Sequence, residues 1–358
     1  MNNDRARQAQ KKAGKPNAKP AKASKGIASK APTTKNGESA REQTSSISRG
    51  LQQKCLNIFR DSLWTGPEDI AALQEVKGHL YNRDFATAFS IESYLRAYAL
   101  RWSAARALGY LQVFEDIDDF LRSEREDSTT DLKILSIGGG AGAELVSIAG
   151  WQNLTKTNDS EARQIRVNAT LVDIAAWEPI SNKLDEAAVS TPVLSKYASA
   201  AVREAAAPMV SRDNFTAICE QSDVLDWDEQ TVASKAGSSD LVTIMFTLNE
   251  LYSTSTPKTQ RLLKNLTASA KSGSLLLVVD SPGSYSTVSI NGAEKKYPMQ
   301  WLLDHTLLGA QLEDALWEKV LTNESKWFRL PEGLEYPVEL ENMRYQIHLY
   351  KRQSPASG

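Results

Sequence analysis

The chain contains little cysteine and little histidine. Of 358 residues, two are cysteine and three are histidine. Cys55 and Cys219 lie far apart and form no CxxC motif, which excludes a disulfide framework and a zinc ribbon. His79, His305 and His348 show no HxxxH spacing, so we predict no metal site. These scarcities favour a reducing compartment and a chemistry that needs no metal.

Long apolar runs are also absent. No stretch of about eighteen apolar residues occurs, so no membrane-spanning helix is predicted. The segment after Met1 lacks the apolar region of a secretory signal peptide. With 41% hydrophobic and 8% aromatic residues, the composition is that of an ordinary globular protein. We therefore expect an intracellular protein that does not enter a membrane.

The net charge of −2 is the sum of two segments of opposite sign. Residues 1–50 hold twelve lysines and arginines against three acids, whereas residues 51–358 hold thirty against forty-one. The first segment has no aromatic residue, and Ile27 is its one branched aliphatic residue before Ile47. It cannot bury enough apolar surface to offset the entropy of ordering, so we predict a disordered basic tail. Its charge suits contact with a phosphate backbone, and a role in solubility or nuclear import is the alternative.

Helical spacing dominates residues 51–130. Apolar residues recur at this spacing from Leu51 to Leu63, a second stretch opens at Pro67, and a third covers roughly residues 91–121. This lead-in is too small for a convincing core of its own, and we expect it to pack on the rest of the chain.

From residue 132 onwards, five short apolar segments alternate with helical ones, which is typical of a parallel sheet covered on both faces. A helix is expected within residues 183–209, and residues 151–164 resemble a polar insertion. Two late strands are predicted, near residues 319–329 and 343–351. The alternating pattern of the last one predicts an antiparallel edge strand.

The most informative segment is 134–144, which reads ILSIGGGAGAE. A buried strand leads into a turn with glycines at 138, 140 and 142. Glycine permits a positive φ and lets a ligand approach the backbone, and the N–H groups at the start of the next helix can bind that ligand. The pattern favours a nucleotide-type ligand, and a plain structural turn is the alternative.

Polar residues follow the next three predicted strands. Asp173 ends the second strand, where doubly wound folds reach the ribose hydroxyls of their ligand. Asp223 follows the third strand and could accept a hydrogen bond from an adenine amino group. Phe246, Asn249 and Glu250 follow the fourth strand, at the edge where such folds bind ligands. Helix capping is the alternative for Asp173 and Asn249, and a solvated loop acid is the alternative for Asp223.

This order of a glycine loop, two acids, a polar tip and late antiparallel strands resembles the class I S-adenosylmethionine-dependent methyltransferases. The resemblance implies a doubly wound, seven-stranded, Rossmann-like α/β sheet that binds S-adenosyl-L-methionine. It places the catalytic domain at residues 131–352 and a flexible C-terminus at 353–358. The implied cofactor-binding residues are Ser136, Gly138, Gly140, Gly142, Asp173, Asp223 and Phe246. At the first of these positions the family usually has an acid that contacts the methionine amino group.

A narrower resemblance rests on YNRDF at 81–85, YLRAY at 94–98, RWSAARAL at 101–108, SIGGG at 136–140 and NELY at 249–252. These segments are similar to a fungal family of methyltransferases that includes an enzyme methylating N3 of a uridine in 25S ribosomal RNA. The resemblance implies a ribosomal RNA or pre-ribosomal particle as partner, and a location in the nucleus, nucleolus and cytoplasm.

Uracil N3 carries a proton and is a poor nucleophile until that proton leaves. Glu250 is therefore predicted to accept the proton, and Asn249 to polarise a uracil carbonyl group. Phe246 or Tyr252 could stack on an extruded base. Neither cysteine is placed to attack a base, which favours N- or O-methylation.

Two other interpretations are open. One is a non-catalytic RNA-binding or ribosome-assembly protein on a methyltransferase fold, and the other is a nicotinamide-dependent oxidoreductase, which predicts no late antiparallel strands. Arg83, Arg96, Arg101 and Arg106 are candidate RNA contacts because they lie among tyrosines and tryptophans. A helix with core aromatics and solvated arginines is the alternative for that region.

Overall fold

The computed structural model describes residues 47–123, 131–158, 165–192, 206–283, 285–290, 293–309 and 316–354, with a few isolated positions between 194 and 203. The predicted basic tail lies outside these residues except for its last four, and so does most of the predicted flexible C-terminus. No helix in the described ranges is both long enough and apolar enough to cross a membrane.

The described residues form eleven α-helices and nine strands. The helices are α1 (Arg49–Leu63), α2 (Glu68–Tyr81), α3 (Phe85–Ala88), α4 (Glu92–Tyr98), α5 (Ala104–Asp116), α6 (Asp118–Ser123), α7 (Ala143–Asn158), α8 (Glu178–Val189), α9 (Glu229–Ala236), α10 (Leu248–Ser269) and α11 (Met299–Leu308). The strands are β1 (Leu132–Ile137), β2 (Val167–Asp173), β3 (Phe215–Gln221), β4 (Leu241–Met245), β5 (Leu275–Asp280), β6 (Tyr285–Ile290), β7 (Ala293–Pro298), β8 (Trp317–Phe328) and β9 (Met343–Arg352). A π-helical turn (Ala99–Ser103) joins α4 to α5.

Seven strands form one sheet in the order β3-β2-β1-β4-β5-β9-β8, and β6 pairs with β7 in a separate hairpin. Strands β1 to β5 are parallel, whereas β9 runs antiparallel to both β5 and β8. This arrangement confirms the predicted doubly wound, seven-stranded Rossmann-like sheet. The late antiparallel pair contradicts what the oxidoreductase interpretation predicted. The strand order reverses beside β1, and ligands of open α/β sheets bind at the carboxyl ends of the strands at such a point.

The two faces of the sheet carry two apolar clusters. Alternation along β1 sends Ile134 to one cluster and Leu135 and Ile137 to the other. The first cluster is covered by α1, α5, α7 and α8, and the second by α9, α10 and α11. Phe59 of α1 and Phe114 of α5 are completely buried in the first cluster. Each contributes about 1.5–3 kcal/mol by burial, so the lead-in helices and the sheet share one core.

Several local predictions differ from the structure. The long helix expected over residues 91–121 is four shorter elements, from α4 to α6. The expected polar insertion is wrong in its first half, because residues 151–158 extend α7 and Trp151 is buried. The helix expected within residues 183–209 is α8, which begins at Glu178 and ends at Val189. Strand β9 lies inside the sheet, between β5 and β8, rather than at its edge.

The hairpin β6–β7 and the helices α9 and α11 were not predicted. Residues 293–298 of the hairpin read AEKKYP, whose charged character gives little strand signal. Pairing with β6 decides that conformation, and this pairing is not visible in a local pattern.

Candidate cofactor and active site

A cavity of about 840 Å³ opens at the carboxyl ends of β1, β2 and β4. The predicted site residues that line it are Gly138, Asp173, Asp223, Phe246 and Glu250. Ser136, Gly140, Gly142 and Asn249 are not among its lining residues. Helices of the lead-in supply the opposite wall, with an aromatic cluster of Phe85, Phe89, Tyr98 and Trp102.

The glycine loop is fixed by its backbone conformation. Gly138 has a φ of +81° and Gly142 a φ of +85°, both in the left-handed region that favours glycine. A Cβ on Gly138 would lie 2.1 Å from Thr247 Oγ1, and one on Gly142 would lie 2.2 Å from Leu184 Cδ1. These glycines let the loop pack tightly against the tip of β4 and against α8, and this packing brings the loop to the cavity.

Gly140 holds Asp173 in place. Its N–H donates a hydrogen bond to Asp173 Oδ2 at 3.3 Å, and the N–H of Ala175 donates to Oδ1 at 3.1 Å. A Cβ on Gly140 would lie 2.6 Å from Asp173 Cβ and 2.4 Å from Trp177 Cδ1. Burial raises the pKa of Asp173, and the two backbone donors oppose that shift. The space beside Gly140 is therefore taken by the protein itself, and its N–H orients a carboxylate that faces the cavity.

Ser136 lies behind the loop. Its side chain is completely buried, and Oγ accepts a hydrogen bond from Thr243 Oγ1 at 2.9 Å. A Cβ on Gly139 would lie 2.4 Å from this oxygen. The structure therefore does not bring Ser136 to the cavity, although the sequence predicted it among the cofactor-binding residues.

Glu144 is a cavity residue that the sequence prediction missed. It stands in the first turn of α7, directly after the glycine loop, and its side chain is only 3% exposed. Its Oε1 atom is buried without a hydrogen-bond partner among the described residues. Burial raises the pKa of this carboxyl group to about 8. An acid immediately after a glycine loop was the available signal, because the first helical turn faces whatever the loop binds.

Arg106 of α5 supplies the opposite charge. It lines the same cavity, and its Nη1 donates a hydrogen bond to the hydroxyl group of Tyr98 at 2.9 Å. Its guanidinium carbon lies 4.9 Å from the centre of the Phe246 ring. Within the described part of the chain, no carboxylate forms an ion pair with it. The cavity wall therefore presents a guanidinium group and a buried carboxyl group that form no direct ion pair, although the charge of Arg106 partly opposes the rise in the pKa of Glu144.

Two of the other candidate RNA-binding arginines are engaged inside the protein. Arg96 Nε lies 2.9 Å from Oδ1 of the buried Asp69. Arg101 is itself buried and pairs with Glu341. Arg83 is exposed at the end of α2. Of the four arginines predicted to contact RNA, Arg83 therefore remains the candidate on the surface.

Phe246 is held in an unusual conformation beside the cavity. Its φ of +54° lies in the left-handed region, which costs a residue with a Cβ about 1–3 kcal/mol. Its N–H donates to the carbonyl oxygen of Val279 at 2.7 Å, and its ring stacks on Tyr110 at 6.1 Å. Such strain often occurs at functional sites, and here it directs the chain from β4 into the wall of the cavity.

The polar tip after β4 forms the first turn of α10. Glu250 lines the cavity, whereas the N–H of Asn249 donates to Asp280 Oδ2 at 3.1 Å. Asp280 is 3% exposed, and burial raises its pKa to about 6. Tyr252 is 2% exposed within the apolar cluster under α10, so the prediction that it stacks on a base is wrong.

Asp223 lines the cavity after β3. Its Oδ1 accepts a hydrogen bond from the N–H of Leu225 at 2.9 Å, which begins a short 3-10 turn. The cavity thus has carboxyl groups near β2 and β3, suited to hydroxyl and amino groups of a nucleoside. It has both signs of charge near α7 and α5, suited to the two charged groups of an amino acid. Its volume lies within the usual range for small-molecule sites, about 300–1,000 Å³.

A glycine loop after β1, a carboxylate after β2 and an antiparallel pair at the end of a parallel sheet together define a class I methyltransferase. The sequence model of one family, described as putative SAM-dependent methyltransferase, matches residues 62–351, and the chain belongs to this family. S-adenosylmethionine is therefore its cofactor, as predicted, and the cavity carries the polar groups that this molecule requires.

Among curated proteins, the chain is similar to the 25S rRNA (uridine(2843)-N(3))-methyltransferase of Saccharomyces cerevisiae. The two are 34% identical over 294 residues, which cover 78% of this chain and 76% of the relative. Among solved structures, a SAM-dependent methyltransferase of Methanosarcina mazei is 13% identical, with a TM-score of 0.35 over 62% of this chain and 93% of the other. The N-methyltransferase NodS of Bradyrhizobium japonicum, in complex with S-adenosylhomocysteine, is 11% identical, with a TM-score of 0.33 over 68% of this chain and 88% of the other.

Proposed function

We propose that this protein transfers the methyl group of S-adenosylmethionine to N3 of a uridine in large-subunit ribosomal RNA. The observation that carries the proposal is the 34% identity, over most of both chains, to a yeast enzyme with that name. The cavity supports it, because a cofactor-sized site is lined on one side by the glycine loop and on the other by aromatic residues of the lead-in helices.

When bound, S-adenosylmethionine would supply an electrophilic methyl group: the aligned acceptor nitrogen would bond to the methyl carbon as the carbon–sulfur bond breaks, with S-adenosylhomocysteine as the leaving group. Asp173 accepts hydrogen bonds from the ribose hydroxyls, and Asp223 accepts one from the adenine amino group. Glu144 binds the ammonium group of the methionine end, and Arg106 binds its carboxylate. This assignment gives Glu144 the role that an acid at position 136 has in other members of the class. It accounts for a buried carboxyl oxygen that has no hydrogen-bond partner among the described residues and for a guanidinium group that forms no ion pair there.

The acceptor nitrogen must lose its proton before or during attack. Glu250 is the acid that lines the cavity beyond β4, so we assign it the role of proton acceptor. Asn249 does not line the cavity: its backbone N–H donates to Asp280 Oδ2, and its Oδ1 is buried. We therefore assign it a role in positioning the start of α10 and not a direct contact with the base. The Phe246 ring contacts the guanidinium group of Arg106 and stacks on the ring of Tyr110. It forms the wall beside which a flipped base enters.

The test is methylation of an unmodified 25S ribosomal RNA transcript, and of pre-ribosomal particles, with radiolabelled cofactor. Digestion to nucleosides and mass spectrometry should identify 3-methyluridine as the product. Glu250→Gln should lower kcat by about 10²–10⁴-fold, the usual value of a general base, while affinity for S-adenosylhomocysteine stays within twofold. Glu229→Gln, an exposed acid on α9, is the matched control and should change neither quantity. Methylation at another atom, or of no RNA, would contradict the proposal.

Ribosomal RNA or a pre-ribosomal particle is accordingly the proposed partner. The nucleus, nucleolus and cytoplasm are the proposed locations, since ribosomal subunits are assembled and used there. The basic composition of residues 1–50 supports both proposals, because twelve positive side chains against three acids favour contact with a phosphate backbone.

A further inference from the structure

The turn between α2 and α3 lies at the rim of the cavity. Leu80 at the end of α2 and Phe85 at the start of α3 both line the cavity, and the residues between them face solvent or the rim. The backbone N–H groups of residues 82–84 donate to carbonyl oxygens of the last turn of α2 at 2.9–3.1 Å. Arg83 has a φ of +57°, which is rare for a residue with a Cβ. The turn is therefore a fixed feature beside the opening.

Three consecutive side chains of this turn, Tyr81, Asn82 and Arg83, point away from the protein. All three residues are exposed, and Tyr81 is 90% exposed. Within the described ranges, no hydrogen bond or ion pair engages these three side chains. An aromatic ring, an amide and a guanidinium group are the types that stack on unpaired bases, bond to base edges and bind phosphate.

Two acids close to the turn in sequence have partners other than Arg83. Asp84 is turned back into α3, where its Oδ1 accepts a hydrogen bond from the N–H of Thr87 at 3.1 Å. Glu92, at the start of α4, is bound by Lys183 at 2.7 Å. Arg83 therefore forms no ion pair with either acid and stands beside an exposed aromatic ring, although residues 51–358 as a whole are acidic.

We infer that residues 81–83 form an RNA-binding lip that holds the unpaired nucleotides next to the target base. Tyr81 stacks on a neighbouring base, Asn82 bonds to a base edge, and Arg83 binds the adjoining phosphate. A base that leaves its stack exposes its neighbours, and a lip at the cavity opening is placed to hold them. A single exposed tyrosine is common on protein surfaces. It is the run of three such side chains at the rim that points to RNA. This inference rests on the proposed function.

The test measures binding of a 25S ribosomal RNA fragment across a salt series, together with kcat and KM for methylation. Tyr81→Ala should weaken binding about tenfold, within the range for the stacking of one base, and leave the salt dependence unchanged. Arg83→Ala should weaken binding and lower the log–log salt slope by about 0.7, the value of one phosphate contact to a single strand. Arg83→Lys should restore the slope. KM for RNA should rise, and affinity for S-adenosylhomocysteine should not change.

The controls are Trp301→Ala and Lys264→Ala, which remove an exposed ring and an exposed charge that do not line the cavity. Neither should change RNA binding by more than twofold. If the wild type methylates RNA and the lip variants bind and methylate it equally well, the lip is wrong and the proposed function stands. If the wild type methylates no RNA, the proposed function fails and the lip with it. Equal losses of RNA affinity in the lip and control variants would also contradict the inference that residues 81–83 bind RNA.

Discussion

Replacing Glu144 by glutamine should stabilise the protein without ligand and weaken its hold on the cofactor. The carboxyl group is 3% exposed, and its Oε1 has no hydrogen-bond partner among the described residues. Burial raises its pKa to about 8, because removing an ionised carboxylate from water is unfavourable. Glutamine has nearly the same shape and no charge, so it fits the site without that penalty.

The effect on stability follows from the direction of the pKa shift. The folded protein binds this proton more tightly than the unfolded chain, whose carboxyl group ionises near 4.5. Ionisation therefore reduces the free energy of unfolding progressively as pH rises from about 4.5 to about 8. Each unit of pKa difference corresponds to about 1.4 kcal/mol, so the penalty amounts to a few kcal/mol at pH 8. Glu144→Gln should match the wild type near pH 4.5 and exceed its stability at pH 8.

The effect on the ligand has the opposite sign. A hydrogen bond between a carboxylate and an ammonium group contributes about 1.5–3 kcal/mol, or roughly ten- to hundredfold in affinity. Below pH 8 the wild type must first release the proton from Glu144 to form this bond. Its affinity for S-adenosylhomocysteine should therefore rise between pH 6.5 and 8, whereas the affinity of Glu144→Gln should stay flat.

Calorimetric titration with two ligands separates a direct contact from a distorted cavity. S-adenosylhomocysteine carries the amino acid end, and 5′-methylthioadenosine lacks it. Glu144→Gln should lose affinity for the first ligand and keep it for the second, and chemical denaturation at pH 4.5 and 8 should show the gain in stability. Equal weakening for both ligands, or unchanged affinity for S-adenosylhomocysteine, would refute the assignment. Glu229→Gln serves as the exposed control.

Three further outcomes are expected. Asp173→Ala should weaken the binding of both ligands by about 1.5–3 kcal/mol, because both carry the ribose. A loss of binding free energy below about 0.5 kcal/mol, measured by calorimetry, would limit the role of Asp173 to ordering the glycine loop. Gly140→Ala should lower the thermal midpoint and the affinity for S-adenosylhomocysteine together, because its Cβ would lie 2.4 Å from Trp177 Cδ1; an unchanged midpoint would show that Trp177 moves aside without cost. Deleting residues 1–45 removes eleven basic residues and should reduce the log–log salt slope of RNA binding by several units, because each phosphate bound by the tail adds about 0.7–0.9 to that slope. Cofactor affinity should not change, and equal slopes for the full-length and truncated proteins would leave the tail a role in solubility or import.

The sequence by itself determined the succession of β1 to β5 along the chain, the glycine loop and the carboxylate after β2. These are local properties, since a buried strand requires a short apolar run and a left-handed turn requires glycine at positions such as 138 and 142. The rule that parallel sheets bind ligands at the carboxyl ends of their strands then predicted that Asp173 and Glu250 lie at the site.

Only the tertiary structure decided which side chains meet inside the cavity. Ser136 and Glu144 are both polar residues beside the glycine loop in sequence. Alternation along β1 places the Ser136 side chain beside Thr243 of the neighbouring strand β4 and away from the cavity. The packing of α7, in contrast, directs Glu144 toward the cavity. Arg106 reaches the same cavity from α5, through the packing of the lead-in helices on the sheet.

The position of β9 was decided in the same way. Its alternating sequence is compatible with an edge or an interior strand, and pairing with both β5 and β8 selects the interior. Long-range contacts of this kind join residues that are distant in sequence. A local pattern therefore fixes what each segment can form, and the packing of the whole chain fixes which residues share a site.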